Sequence, residues 1–246
     1  MKDIFTIKEF EKKNRKKNHL IFICDHASNF IPSNYKNLGL KENHLRSHIA
    51  YDLGAKKFCE ILSGTLKQTS FYANFSRLLI DPNRSELSND LILSESAGIQ
   101  IPGNLDVANS EKKKRLDLFY RTYHSGLRNL IKKKKKEFDK IYLISIHSFT
   151  QRYINKKRGL EIGLLWNKNM NLLIPIQKSL IDFKIHFGRN FPYSGFHYNY
   201  TLDRHSQFGR IDNICLEFRN DLICNEKRIN KYINVFEKIF KGFLND

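Results

Sequence analysis

The chain has 246 residues, a formal net charge of +18, and 41% hydrophobic and 13% aromatic residues. That length buries an ordinary core without disulfide or metal staples, and the apolar content excludes a disordered chain. Apolar stretches near membrane-spanning length are all broken by charge, which excludes a membrane span.

The first segment, "MKDIFTIKEFEKKNRKKNH", is basic but has neither an apolar h-region nor a small-residue cleavage site. It does not read as a secretory signal, and the expected compartment is the cytoplasm. A strand is predicted at "LIFICDH" (20–26), a helix over 44–62, and a second strand at "FSRLLIDPNR" (75–84). Residues 85–110 are rich in Gly, Pro, Asn and Ser and read as a long loop, a feature that in a compact domain is usually functional. Over 116–131, Leu116, Phe119, Tyr123, Leu127, Leu130 and Ile131 recur at a spacing near that of a helix. The run "KKKKK" at 132–136 continues this helix as its exposed end, where positive charge suits the dipole.

Further strands are predicted at "IYLISIHSF" (141–149), "LEIGLLW" (160–166) and "NICLEFRND" (213–221), with a second long loop at 187–212 and an amphipathic helix at 229–244. Three of the strand runs are almost continuously apolar, as in strands covered on both faces. Strands alternating with helices predict an α/β fold: a mixed, largely parallel central sheet flanked by helices on both faces. One domain is expected over residues 1–246, with a core of about 19–244. Cys24, Cys59, Cys215 and Cys224 are widely separated in apolar or amphipathic stretches and read as reduced core residues. The lysines at 12–17, 112–114 and 132–136 and on the C-terminal helix fall on solvated faces. No nucleic-acid motif accompanies them, so nucleic acid is not the expected partner.

Polar residues of a catalytic kind close four of the predicted strands: His26 the first, Asn83 and Arg84 the second, His147 and Ser148 the third, Glu217 and Arg219 the last. A lone histidine at a strand end is usually structural; recurrence across separate strands is what marks a site. In an open α/β sheet, ligands bind in the crevice beyond the carboxyl ends of the strands. Two imidazoles and one carboxylate would supply the three protein ligands of a catalytic zinc, with the fourth position left to water. His26 and His147 are the natural nitrogen ligands. The carboxylate is sought in "HIAYD", where His48 and Asp52 are four residues apart and would share a helix face, one as ligand and the other in support. Asp25 is a further candidate, although in a strand it would point away from His26. Glu217, among apolar neighbours, is placed to have a raised pKa and act as general base or acid, with Arg219 as its alternative structural partner. If Arg77 and Arg84 both point into the mouth, one polarises a scissile carbonyl and the other clamps a carboxylate; either arginine is otherwise a solvated strand-end residue or a partner of Asp81.

In this order, "CDHASNFIP", "HIAYDLGA", "SRLLIDPNR", "YHSGL", "SIHSFT" and "LEFRND" resemble the N-formylglutamate amidohydrolase family over about residues 20–225. That family is similar in fold and chemistry to zinc carboxypeptidases and aspartoacylase-type deacylases, so the resemblance implies a phosphorylase/hydrolase-like scaffold. It also implies one zinc, or another divalent transition metal, per chain, with His26 and His147 as ligands. Glu217 becomes the general base, Asn83 and Arg84 the clamp on a substrate carboxylate, and Arg77 the oxyanion stabiliser. His124, Arg204 and His205 stand at positions that resemble family motifs and become residues of the substrate pocket or of the layer that supports it.

One departure is plain. The carboxypeptidase-like relatives take two ligands from HxxE, whereas here "HASN" puts Asn29 in place of the glutamate, and an amide is a poor substitute on zinc. The third ligand is therefore expected elsewhere, at Asp52 with His48 as the alternative. The expected function is hydrolysis of a small anionic N-acyl amino acid, N-formyl-L-glutamate in the leading case. Two other readings stay open: a deacylase or carboxypeptidase-like hydrolase on the same scaffold, and a non-catalytic protein that binds an anion or nucleic acid.

Overall fold

The computed structural model describes residues 3–10, 17–153 and 156–245. Its main sheet contains β1 (Phe5–Lys8), β2 (Asn18–Cys24), β3 (Thr69–Ala73), β4 (Lys140–Phe149), β5 (Ile162–Leu165), β6 (Phe187–Arg189) and β7 (Asn213–Arg219). Among the described residues these strands pair in the order β1-β3-β2-β4-β7-β5-β6. The central four, β3, β2, β4 and β7, run parallel, so their carboxyl ends open on one edge. β1 and β5 are antiparallel to their inner neighbours, which makes the sheet mixed.

β2 and β3 are buried along their whole length, as nearly continuous apolar runs in central parallel strands should be. Side-chain alternation divides these residues between two cores. Leu20, Phe22, Ile144, Ile146, Leu216 and Phe218 pack on one face against helices α1 (Ala55–Leu66), α4 (Leu173–Asp182) and α5 (Glu226–Asn245). Ile21, Ile23, Leu143 and Cys215 take the other face. There they meet α3 (Thr122–Glu137), which continues α2 (Asn109–Arg115) through a π-helical turn at Leu116–Arg121. By the same parity His147 and Glu217 rise from this second face. Among the described residues no helix is long and apolar enough to cross a membrane.

Several local expectations need correction. The predicted strand at 75–84 is a series of turns, and the strand before it stops at Ala73. Leu78, Leu79 and Ile80 are buried without a ladder, because the backbone here bonds to loops: Ser76 N to Phe30 O at 2.8 Å and Asp81 N to Leu91 O at 2.8 Å. The predicted helix at 44–62 is broken: a short helix at Glu42–Leu45 ends well before α1 begins at Ala55. Gly54 makes the break. Its φ of +81° lies in the left-handed region, and a Cβ there would come within 2.9 Å of the Ile223 backbone. His48 and Asp52 therefore share no helix face. Within "KKKKK", Lys134 is buried and pairs with Glu9 and Glu137. Cys224 is exposed, while Cys24, Cys59 and Cys215 are buried free thiols. Apart from Lys17, the basic run at 12–17 lies outside the described residues.

Candidate active site

The carboxyl edge of the parallel strands carries a cavity of about 750 Å3 lined by His26, Asp52, Arg77, Arg84, His147 and Glu217, among others. His26 follows β2, Arg77 stands in the turns after β3, and His147 and Glu217 sit near the ends of β4 and β7. Asp52 enters from the segment before Gly54. Its carboxylate accepts the backbone N–H of Ser148 at 3.2 Å, which fixes it beside β4.

The two imidazoles address the same oxygen. His26 Nδ1 lies 3.3 Å, and His147 Nδ1 2.8 Å, from Asp52 Oδ2. Each ring's other nitrogen has its own buried carboxylate: His26 Nε2 lies 2.8 Å from Asp81 Oδ1, and His147 Nε2 3.2 Å from Asp25 Oδ2. Asp25 is in turn fixed by donors from Tyr123 Oη at 2.6 Å, Thr201 Oγ1 at 2.9 Å and Ser145 Oγ at 3.4 Å. With Asp81 and Asp25 accepting Nε2–H, each Nδ1 faces the Asp52 carboxylate, and a positive charge, either a proton or a metal ion, is needed between them. Carboxylate–histidine pairs are the usual outer support of a metal site. One ligand atom from each of His26, Asp52 and His147 lies within 4.8 Å of the others, so this buried trio could hold a metal ion. Asn29, by contrast, donates its amide to Leu45 O at 2.9 Å.

The electrostatics follow from these contacts. Burial would raise the Asp52 carboxyl, but His26 and His147 hold it well below the usual carboxylate range. Burial likewise opposes ionisation of Asp81, and the Arg77 charge with that of His26 overcomes it. Burial would lower His147, but its hydrogen bonds to Asp25 and Asp52 push it well above an ordinary imidazole. Glu217 differs. Burial pushes its carboxyl up to about 7 against the pull of His147, and Oε2 is buried with no hydrogen-bond partner among the described residues. Arg219 does not serve it, being paired with Asp221 at 2.7 Å. Room for Glu217 comes from Gly163 on β5, its register partner, where a Cβ would fall 3.2 Å from the Glu217 Cβ.

Arg77 Nη2 donates to Asp81 Oδ2 at 2.8 Å, and Nη1 lies 3.3 Å from His26 Nδ1. It therefore pairs with Asp81 and faces the cavity at once. Arg84 is held by Asp90 at 2.6 Å and by the Asn83 carbonyl at 3.0 Å, and stacks on Tyr198 with its guanidinium 4.9 Å from the ring centroid. Its Nη2 has no hydrogen-bond partner among the described residues. Asn83 lines the cavity with its amide tied to the 198–201 backbone, donating to Tyr198 O and accepting from Thr201 N, each at 2.9 Å. His48 also lines the cavity, but it is exposed and stands outside the converging trio.

His124, Arg204 and His205 do not line this cavity, which leaves the supporting role of the two expected from sequence. They brace the turn that carries Asn83 and Arg84. His124 Nε2 lies 3.0 Å from Pro82 O, and its Nδ1 lies 2.9 Å from His205 Nε2. Arg204 Nη1 donates to Tyr120 Oη at 3.4 Å, and that hydroxyl donates to Arg84 O at 2.7 Å. Asp25 and Asp81, named from sequence as a candidate ligand and as an arginine partner, each hold an imidazole. The residues that sequence reasoning missed, Tyr123, Ser145, Thr201, Tyr193 and Tyr198, carry no local signal.

A mixed sheet whose open edge joins a metal-capable trio to a separate buried acid defines a hydrolase-type site. The sequence makes the particular assignment: residues 18–224 match the family model described as N-formylglutamate amidohydrolase. The chain belongs to that family, which supports an amidohydrolase acting on N-acyl amino acids. It is similar to a crystallised gene product of Agrobacterium tumefaciens, at 29% identity over 98% of this chain and 95% of that one, with a TM-score of 0.90. An N-formylglutamate amidohydrolase from Ralstonia eutropha shares the fold at 18% identity over 98% of each chain, with a TM-score of 0.75. No curated protein sequence matches the chain.

Proposed function

We propose that the protein is a metal-dependent amidohydrolase of small, anionic N-acyl amino acids, N-formyl-L-glutamate, giving formate and L-glutamate, being the case its family points to first. The observation that carries this reading is the convergence of His26, Asp52 and His147 in one cavity with the unpartnered Glu217 Oε2. Zinc or another divalent transition metal, one per chain and held by the trio, would supply Lewis acidity toward the attacking water and the amide oxygen.

The chain's own residues do the rest. Glu217, with a carboxyl raised by burial to about 7, takes the water proton and passes it to the leaving nitrogen. Arg77 keeps its guanidinium beside His26 and directs N–H donors at the oxygen where negative charge develops. Arg84 takes the substrate carboxylate through its free Nη2 and is kept in place by Tyr198 and Asp90. Asn83 holds the backbone that carries Tyr198.

Elemental metal content of untagged wild type and His147→Ala, measured together with hydrolysis of N-formylglutamate by the same preparations, tests the proposal. About one metal per chain is expected, and the variant loses it along with turnover. Failure of wild type to bind any transition metal on add-back overturns metal dependence. Failure to cleave any N-acyl amino acid overturns the substrate class.

A further inference from the structure

The cavity, about 750 Å3, has the size that encloses a drug-sized ligand, several times what a molecule of about a dozen non-hydrogen atoms such as N-formylglutamate fills. Nothing bulky occupies the remainder. Ser96, Ala97 and Gly98, at the tip of a hairpin, line it with small side chains only.

One wall is ordered by a run of stacked groups that starts at the proposed carboxylate clamp. Arg84 lies 4.9 Å from the Tyr198 ring centroid, and Tyr198 and Tyr193 meet at 5.5 Å. The guanidinium of Arg158 is sandwiched between Tyr193 and Phe149, 5.3 Å from each ring centroid. Arg158 also donates to the Tyr193 hydroxyl at 3.4 Å. Arg158 does not line the cavity, whereas Tyr198, Tyr193 and Phe149 do. The wall is thus fixed from behind, and beyond Phe149 the lining continues through Thr150 to Arg152.

Arg152 is exposed, and among the described residues its guanidinium makes no hydrogen bond or ion pair. The carboxylates that line the cavity are Asp52 and Glu217, and both belong to the converging site. The Arg152 end therefore presents a cation with no acid to neutralise it, in a fork shape that matches a carboxylate. A formyl group carries no second polar end to meet such a cation.

We infer that the acyl half of the substrate is a chain of several carbons ending in a carboxylate, its stem lying along Tyr193 and Phe149 and its end meeting Arg152; this rests on the amide-hydrolase reading above. Water adds across the amide: the C–N bond breaks, a C–O bond forms, and the nitrogen takes the proton. The products are a dicarboxylate and a free amino acid.

The test is kcat/KM for N-formyl-, N-pentanoyl- and N-glutaryl-L-glutamate, the last two having acyl groups of equal carbon number that differ in the end group. N-glutaryl-glutamate is expected to exceed both others by about tenfold or more, the worth of one charge-assisted contact. Arg152→Ala should bring the glutaryl-over-pentanoyl ratio close to one, mainly through KM, and Arg152→Lys should restore part of it. A wild-type ratio near one, or a ratio that survives Arg152→Ala, overturns the inference. Turnover of N-formylglutamate without preference for the glutaryl compound leaves the proposed function standing and this inference refuted. If none of the three is cleaved, the two fall together.

Discussion

Glu217 and His147 are register partners on adjacent parallel strands, so their side chains rise next to each other from one face of the sheet. The imidazole has two carboxylate partners, Asp25 and Asp52; the neighbouring carboxyl has an oxygen with none. A buried acid left unsatisfied beside a satisfied cluster is the reason Glu217 is the base we propose. Glu217→Gln keeps the shape and removes the basic oxygen. We expect kcat on the best N-acyl substrate to fall by about 10²–10⁴. Metal content and melting temperature should match wild type, since no native hydrogen bond of Oε2 is lost. Turnover within a few-fold of wild type would place the base elsewhere.

The outer carboxylates set which ring nitrogen is free. Asp81 and Asp25 accept Nε2–H from His26 and His147, and this leaves Nδ1 as the donor atom at the trio. Asp81→Asn and Asp25→Asn should each weaken metal affinity by about 10–100-fold. Competition against a chromophoric chelator reads this directly. Chelating the metal from wild type should also lower its melting temperature, because binding to the folded state alone contributes stability by mass action. Unchanged affinity in both variants would show that the two aspartates serve packing only.

His26, His147 and Glu217 were legible because each ends an apolar run, and apolar runs of strand length locate the sheet edge without further information. Asp52 was legible as a residue but not as geometry: a helix was read through Gly54, whose positive φ forbids it. The run at 75–84 was misread for a related reason. Leu78, Leu79 and Ile80 are as buried as strand residues, but burial does not require a ladder. The bracing of the Asp81–Arg84 turn by Tyr120, His124 and Thr201 was not legible at all. Those hydrogen bonds join residues 36 to 119 positions apart, and nothing local in a sequence encodes such contacts. For His124 and His205 the sequence therefore left pocket and supporting roles equally open.

Gly54 offers a test of how the trio is held. In Gly54→Ala the new Cβ would meet Ile223 backbone atoms at 2.9–3.0 Å, in a left-handed conformation that alanine resists. A loss of about 1–3 kcal/mol in urea denaturation is expected. Asp52 lies two residues upstream, so metal affinity should fall as well. A destabilised variant with native affinity would show that Asp52 is positioned by its bond from Ser148 N and not by the turn.

Acid sensitivity should report the histidine pair behind the Asp81–Arg84 turn. Burial, with Arg204 adding to it, pushes His205 down from its ordinary 6.5 to about 4, and burial with His205 lowers His124 further. His124 donates Nε2–H to Pro82 O, so its Nδ1 accepts from His205 Nε2–H, an arrangement that requires a neutral His124, while burial beside Arg204 disfavours charge on His205. The unfolded chain takes up protons near 6.5 while the folded one resists until about 4. Stability is therefore undiminished by this pair above 6.5, declines as the pH falls toward 4, and loses nothing more to His205 below that. For one imidazole the decline is on the order of 3 kcal/mol. His205→Gln keeps an N–H donor for His124 and removes one titration, so the slope of urea midpoint against pH in this window should flatten. An unchanged slope would show that His205 is not the source of the decline in this window. Asp25, Asp52 and Asp81 titrate lower in the folded protein than in the unfolded chain, so their stabilisation is lost only as the pH falls below the ordinary carboxylate range.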